Sequence, residues 1–182
     1  MSENESKKGS AGRVLLFTGD GKGKTTAALG MALRAAGHGM RVLFIQFVKS
    51  DPATGEMAAF ANLPDAEIVL TGRGFVPPPS SPEYAEHCRA AAEGMVKAAQ
   101  ALSSGSYDMV CLDEIAVAVA RGIASEESVL KMIRQAHPDT VVVLTGRYAT
   151  KAMMDLADTV TEMKNIKHGL ASGWPAQKGV EE

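Results

Sequence analysis

The chain has 182 residues, of which 46% are hydrophobic and 22% charged, which is typical of one folded domain. Its formal net charge of −2 excludes a globally basic surface of the kind that binds nucleic acid or anionic membranes. No stretch approaches the roughly 20 apolar residues of a membrane span, and the polar N-terminus lacks the apolar segment of a secretory signal. Cys88 and Cys111 are too few for a disulfide framework, so we expect reduced thiols in a cytoplasmic protein.

Strands and helices are predicted to alternate along the chain, after a flexible polar tail at 1–12. The predicted strands lie at 13–18, 41–48, 67–70, 108–114, 140–146 and 159–163. The predicted helices lie at 24–37, 82–102, 125–136 and 151–157, with Ser81 as the N-cap and Pro82 as the first residue of the second one. Each strand is a continuous apolar run, which is typical of a mostly parallel sheet of about six strands covered by helices on both faces. We therefore predict one α/β domain at 13–182.

The turn between the first strand and the first helix, in "FTGDGKGKTTAALG", is rich in glycine and lysine. A glycine-rich turn that leads into a helix directs backbone N–H groups and the positive end of the helix dipole at a phosphate. Lys24 and Thr25 stand where a P-loop places its lysine for the outer phosphates and its hydroxyl for Mg²⁺. An ordinary glycine-rich turn would leave the lysines and threonines unexplained. The predicted ATP-binding residues of this loop are Gly19, Asp20, Gly21, Lys22, Gly23, Lys24, Thr25 and Thr26.

The glycine spacing of this loop departs from the standard motif G-x-x-x-x-G-K-[ST]. The first glycine of that motif would occupy the position of Thr18, whereas the glycines stand at Gly19, Gly21 and Gly23. The bend therefore comes one residue later than usual. This predicts that a phosphate chain is held in a different register or direction, and the sequence leaves open which.

Two acids, Asp113 and Glu114, follow the apolar run "MVCL" at the end of a predicted strand. P-loop proteins place an acid in this position to bind Mg²⁺, and two neighbouring side chains point in different directions. One of the pair can therefore bind the metal while the other supports the loop. The residues alone do not decide which acid has which role, and a pair of solvated acids is the alternative.

Several motifs together resemble the P-loop type ATP:corrinoid (cob(I)alamin or cob(I)yrinic acid a,c-diamide) adenosyltransferases. They are "GDGKGKTTAALG", "GHGMRVLFIQFVK", "MVCLDE", "VVLTGR", "DLADTVTEM", "KH" and "AQKGVE". The resemblance runs in collinear order from Arg13 to Glu181, and the shifted glycines resemble that family's own phosphate loop.

The resemblance implies a RecA-like P-loop fold, a homodimer, and transfer of the 5′-deoxyadenosyl group of ATP to the Co(I) of a reduced corrinoid. Triphosphate is the product released, and the pathway is adenosylcobalamin synthesis or salvage. The family binds ATP in reverse of the usual P-loop orientation. The implied cofactor is Mg²⁺ or Mn²⁺, and the implied electron donor is a protein such as a flavodoxin or a flavin reductase. No nucleic-acid or membrane partner is implied.

Site roles also follow from the resemblance. Lys24 and the amides from Gly21 to Thr25 hold the triphosphate, while Thr25 and Glu114 hold Mg²⁺ with Asp113 in support. Lys22 and Arg147 are further candidates for phosphate contacts, with solvated surface charge as the alternative.

The loop "TGRGFVPPPSSP" supplies the predicted corrinoid contact. In the family, an apolar or aromatic residue of this loop helps to keep the lower axial ligand off the cobalt, so Phe75 is assigned a catalytic role beside Lys24. Pro77 stands where the family often carries a second aromatic residue. Phe75 could instead anchor the loop in the core. Gln46, at the end of the second strand, is a second predicted corrinoid contact.

Two other functions fit the same residues. A P-loop kinase or ATPase would split the bond between the β- and γ-phosphates and could use Glu114 to position its acceptor or water. A non-catalytic nucleotide-binding module would also need Lys24 and Thr25. Product analysis separates these possibilities from adenosyl transfer.

Overall fold

The computed structural model describes residues 12–180, which form a parallel sheet with helices on both faces. The strands are β1 (Val14–Thr18), β2 (Val42–Gln46), β3 (Ala66–Leu70), β4 (Met109–Asp113), β5 (Val141–Thr145) and β6 (Thr159–Glu162). The helices are α1 (Lys24–Gly37), α2 (Gly55–Phe60), α3 (Tyr84–Ser104), α4 (Ile115–Ala120), α5 (Glu126–Arg134) and α6 (Lys151–Leu156), followed by a 3₁₀ turn at Gly169–Ser172. The predicted tail at 1–12 lies outside the described residues except for Gly12.

The strands follow the order β3-β2-β4-β5-β1-β6, and every neighbouring pair is parallel. This confirms the predicted α/β class and the six-stranded sheet. Because all strands run the same way, the loops that follow them meet at one edge of the sheet, where ligands bind in open α/β folds. That edge carries the predicted phosphate loop and the predicted acids.

Alternate residues of β2 face the two sides of the sheet. Phe44 packs in the layer beneath α1 and α2, where its ring meets Phe60 edge to face with the centroids 5.7 Å apart. Leu43 and Ile45 point to the opposite layer, which is covered by α3, α4, α5 and α6. This alternation explains why the buried strand is apolar without interruption.

The cysteines agree with the expectation of free thiols. Cys111 is completely buried in β4, and Cys88 is partly buried on α3. Burial raises the pKa of the Cys111 thiol, so this side chain is a small core residue and a poor nucleophile. No helix within residues 12–180 is long and apolar enough to cross a lipid bilayer.

Two short helices and the start of α3 are the main differences from the sequence prediction. The helices α2 and α4, of six residues each, were not predicted, because so few residues carry little periodic signal. The predicted start of α3 at Pro82 was wrong, since the helix begins at Tyr84. Ser81 is not its N-cap; its carbonyl accepts a turn hydrogen bond from the Tyr84 amide at 3.1 Å.

Candidate active site

A cleft of about 840 Å³ lies at the carboxyl edge of the sheet. Its lining comes from the predicted phosphate loop, from α1 and α2, from the loops after β2, β3, β4 and β5, and from the segment 168–180. The predicted site residues that line it are Gly21, Lys22, Gly23, Lys24, Thr25, Thr26, Phe75, Glu114 and Arg147. Four further predicted residues, Gly19, Asp20, Gln46 and Asp113, are not part of its lining.

The phosphate loop joins β1 to the N-terminus of α1. Gly23 caps the helix with φ of 113°, a left-handed conformation that glycine adopts without steric cost. The Lys24 amine donates to the carbonyl oxygens of Gly19 and Gly21, at 2.7 and 2.6 Å, so it is held within its own loop. Burial, together with the guanidinium of Arg147, lowers the pKa of Lys24. A polyphosphate in this place would supply the negative charge that the two cations attract.

The unusual glycine spacing has a local steric reason in this fold. The chain that leaves β6 crosses the phosphate loop, where the Met163 amide donates to Thr18 O at 2.8 Å and the Gly21 amide donates to Met163 O at 2.7 Å. A Cβ on Gly19 would lie 2.5 Å from Met163 O, and one on Gly21 would lie 2.7 Å from Lys164 O. Glycine is therefore required at both positions to let the two backbones approach. Because the Gly21 amide is engaged by Met163, the later amides of the loop are the better placed phosphate donors.

Asp113 is buried at the end of β4 and is held by three hydrogen bonds. The hydroxyl groups of Thr25 and Thr145 donate to its Oδ1 at 2.8 and 2.6 Å. The Gln46 side-chain amide donates to its Oδ2 at 3.2 Å. The Thr25 hydroxyl donates its only hydrogen to Asp113. The lone pairs of the Thr25 oxygen therefore remain available to bind a cation.

Glu114 adopts a left-handed conformation with φ of 61° and directs its side chain to the cleft. Its amide donates to the hydroxyl oxygen of Thr145 at 2.8 Å, which fixes this turn against the end of β5. Burial, with the neighbouring Asp113 carboxylate, raises the pKa of Glu114 to about 7, against the opposing effect of nearby cations such as Lys49. A divalent cation beside Glu114 would favour its charged form.

The oxygen donors fit Mg²⁺ better than a metal that needs a complete protein cage. Within residues 12–180, no three His, Cys, Asp or Glu residues come together as a metal site. Mg²⁺ is usually bound by one or two carboxylates together with substrate phosphates. Thr25 and Glu114, facing a phosphate loop, offer that set of donors.

Comparisons with known proteins identify the family of this chain. A sequence model of the family described as ATP:corrinoid adenosyltransferase BtuR/CobO/CobP matches residues 10–181. The chain belongs to this adenosyltransferase family. A corrinoid adenosyltransferase of Pseudomonas aeruginosa is 40% identical over 172 residues, which cover 93% of this chain and 83% of the relative. One of Escherichia coli strain K12 is 36% identical over 173 residues, covering 93% and 85%.

A solved structure outside the adenosyltransferases shares the fold. The flagellar accessory protein FlaH from Methanocaldococcus jannaschii superposes with a TM-score of 0.57, covering 84% of this chain and 71% of that one. Its sequence identity is 11%, so the likeness concerns the fold alone.

Phe75, which was predicted to contact the corrinoid, presents its side chain to the cleft. Its side chain is 82% exposed and lines the cleft, so the alternative that it anchors the loop in the core was wrong. The neighbouring Val76 is the anchor, with only 4% of its surface exposed. The proline loop thus presents Phe75 to solvent and buries the next residue, Val76.

Gln46 lies beneath the cleft of this adenosyltransferase. Its side chain is completely buried, and its amide faces Asp113 and, at 3.5 Å, Glu56. This geometry assigns Gln46 to the support of Asp113, in place of the predicted corrinoid contact.

Three residues of the site were missed from the sequence. Thr145 bridges the two acids, and its position directly before "GR" at a strand end was the available signal. Glu56 accepts a hydrogen bond from Lys49 at 2.9 Å. Burial alone would raise the pKa of Glu56, but this bond, the charge of Lys49 and further hydrogen bonds together outweigh burial and lower it. Glu56 lies on the unpredicted helix α2, so no pattern pointed to it. Tyr148, the third residue, follows Arg147 at the rim of the cleft.

Proposed function

We propose that this chain transfers the 5′-deoxyadenosyl group of ATP to the Co(I) of a reduced corrinoid and releases triphosphate. The observation that carries the proposal is one cleft that is lined by the phosphate loop, Glu114 and the exposed Phe75, with Asp113 buried behind Thr25. The family membership of the chain supports the same reaction.

The reaction does not require the protein to transfer a proton. The electron pair of Co(I) attacks C5′ of the ribose, the Co–C bond forms, and the C5′–O bond breaks with its electrons leaving on triphosphate. Because this nucleophile carries no proton, no general base is needed. The work of the site is to align the reactants and to stabilise the charge that develops on triphosphate.

The phosphate loop supplies that stabilisation. Lys24, the amides of the loop up to Thr25 and the N-terminus of α1 would bind the triphosphate, with Arg147 and Lys22 as further cationic contacts. Gly19, Asp20 and Thr26 shape the loop around it. Binding would move the Lys24 amine from the loop carbonyls to the phosphate oxygens, whose negative charge would offset the repulsion between Lys24 and Arg147.

Thr25 and Glu114 would hold Mg²⁺, with Mn²⁺ as a substitute. When bound, the ion would neutralise negative charge on the phosphate oxygens. Asp113 would support the ion indirectly. It accepts a hydrogen bond from the Thr25 hydroxyl and so orients the Thr25 oxygen toward the ion. This division of roles follows from exposure, because Glu114 lines the cleft and Asp113 is buried.

The exposed ring of Phe75 would contact the corrinoid at the open side of the cleft. An apolar group at this place would disfavour the polar lower ligand on the cobalt and so make reduction to Co(I) easier. We further propose that the chain works as a cytoplasmic homodimer and receives electrons from a flavodoxin or a flavin reductase, in adenosylcobalamin synthesis or salvage.

The deciding experiment is an anaerobic reaction of the chain with ATP, Mg²⁺ and chemically reduced cobalamin. We expect the visible spectrum of a light-sensitive adenosylated product and one triphosphate released for each adenosyl group transferred. Formation of ADP and phosphate alone would identify a kinase or ATPase and overturn the proposal. Lys24→Ala should lose most of the turnover. A wild-type protein that binds ATP but shows no turnover would be a binding module.

A further inference from the structure

Tyr148 has a backbone conformation that its side chain does not favour. Its φ is 63°, and for a bulky residue this left-handed region is a genuine outlier. Gly146, two residues earlier, also has a positive φ in this loop. It packs so tightly on α4 that a Cβ would lie 2.8 Å from Ala116 Cβ, and its own φ is 142°. The loop between β5 and α6 is thus forced into a shape for which glycine would be the unstrained choice at position 148.

Within the described part of the chain, no side-chain hydrogen bond of Tyr148 offsets this strain. The Tyr148 side chain is 58% exposed, and none of the hydrogen bonds described within residues 12–180 involves its hydroxyl. Strained residues of this kind are concentrated at ligand-binding sites, where a bound molecule supplies the missing contacts. Tyr148 lines the cleft, which meets that condition.

The position of Tyr148 relative to the phosphate loop indicates which substrate it meets. The preceding Arg147 lies close enough to Lys24 to lower the pKa of that amine, so this loop borders the triphosphate subsite. A volume of about 840 Å³ is the size of a site for one small-molecule ligand such as a nucleotide. A corrinoid is much larger, so with ATP inside the cleft it must lie across the mouth. Tyr148 and Phe75 are the exposed aromatic side chains among the described residues that line the cleft.

We propose that Tyr148 is a corrinoid-contacting residue whose ring packs against the corrin macrocycle at the mouth of the cleft. This proposal rests on the proposed adenosyl transfer and adds to it a second aromatic contact, supplied by the loop after β5. Phe75 comes from the loop after β3, so the macrocycle would be held from two different loops. The strained conformation of Tyr148 keeps the ring at the mouth before the substrate arrives, which reduces the ordering needed on binding.

The test compares Tyr148→Gly with Tyr148→Phe in the full chain. Glycine removes the ring and also relieves the backbone strain, so the melting temperature of Tyr148→Gly should not fall below that of the wild type. Phenylalanine keeps the ring and removes only the hydroxyl. Asp65→Gly is the matched control, because Asp65 has φ of 57° but lies directly before β3, outside the residues that line the cleft.

The readouts are the KM values for ATP, cobalamin and cobinamide under anaerobic reduction, and the dissociation constant of unreduced hydroxocobalamin. For Tyr148→Gly we expect the KM of both corrinoids and the dissociation constant to rise about tenfold, since one aromatic contact contributes about that factor. The KM for ATP should stay within about twofold. Tyr148→Phe and Asp65→Gly should both resemble the wild type.

Three results would overturn the proposal: unchanged corrinoid constants in Tyr148→Gly, an equal rise for ATP, or a rise for cobalamin without one for cobinamide. The last would place the ring against the nucleotide loop that cobinamide lacks. The wild type separates this test from that of the function. If wild-type protein forms adenosylated product, the proposed function stands whatever the variants show, and if it does not, both proposals fail together.

Discussion

Thr145 connects the two acids of the site through a single hydroxyl group. It donates to the Asp113 carboxylate and accepts from the Glu114 amide, and it is completely buried at the end of β5. One oxygen therefore fixes both the fully buried Asp113 and the backbone of Glu114, which lines the cleft. Thr145 touches no reacting atom, so we regard it as a positioning residue.

Replacement of Thr145 by valine keeps the shape of the side chain and removes both hydrogen bonds. We expect the Mg²⁺ concentration needed for half-maximal activity to rise about tenfold, as is usual when a residue that supports a metal ligand is lost. The free energy of unfolding should fall by about 1–3 kcal/mol, because a buried amide and carboxylate lose a partner. Activity titrated with Mg²⁺ and urea unfolding measure the two effects.

Thr145→Ser is the control, since it keeps the hydroxyl and removes only a methyl group. It should restore most of the Mg²⁺ affinity. Equal Mg²⁺ dependence of the valine variant and the wild type would show that Glu114 is held without Thr145.

Glu114 makes the stability of the ligand-free protein depend on pH. Burial raises its pKa from 4.5 to about 7, so the folded protein binds this proton more tightly than the unfolded chain does. The resulting stabilisation is complete below about pH 4.5 and is lost as the pH rises through about 7. Relative to Glu114→Gln, we expect the wild-type free energy of unfolding to decrease by about 3–4 kcal/mol across this range, at about 1.4 kcal/mol for each pKa unit. Urea unfolding of both proteins at several pH values tests this, and parallel curves would contradict it.

At the scale of elements, the phosphate loop and the segment after β6 form one unit. Gly19 and Gly21 lie against the backbone of Met163 and Lys164, and the two segments exchange hydrogen bonds. The segment after the last strand therefore supports the predicted phosphate-binding loop. This contact accounts for the position of two glycines without reference to the nucleotide.

We expect Gly21→Ala to destabilise the protein by about 1–3 kcal/mol, because its methyl group would overlap two backbone carbonyls. Gly37→Ala is the matched control: this glycine ends α1, and nothing lies within 4 Å of a Cβ added there. The control should be neutral or slightly stabilising. Equal urea midpoints for the two variants would show that the segment after β6 moves aside at little cost.

At the scale of the whole molecule, the cleft joins elements from both faces of the sheet. Helices α1 and α2 belong to one layer, and α4 belongs to the other. A ligand that contacts both sides of the cleft stabilises the fold as a whole, since the unfolded chain has no such site.

With MgATP at about 100 times its dissociation constant, we expect a stabilisation of about 2.7 kcal/mol. For a chain of this size that corresponds to a rise of about 5–10 °C in the melting temperature. Lys24→Ala should lose most of this shift. Lys97→Ala should keep it, because Lys97 pairs with Glu67 at 2.6 Å and neither residue lines the cleft. Equal shifts in the two variants would contradict the role of Lys24.

The sequence by itself determined the elements whose local signals are strong. Apolar runs predicted all six strands, and the phosphate loop was evident because its glycines, Lys24 and Thr25 are neighbours in the chain. The acid pair was found for the same reason, and the collinear motifs pointed to the family. Short helices such as α2 were missed, since six residues give too little periodicity to distinguish helix from loop.

Only the tertiary structure decided the roles that depend on contacts distant in sequence. Gln46 is buried against Asp113 because parallel β2 and β4 are neighbours, with these two residues in register. Exposure distinguished Phe75 from Val76, although both are apolar and adjacent. The glycine spacing, which by sequence suggested only an altered phosphate register, also follows from the path of the chain after β6. In each case the deciding quantity is a distance between elements, which a linear pattern does not contain.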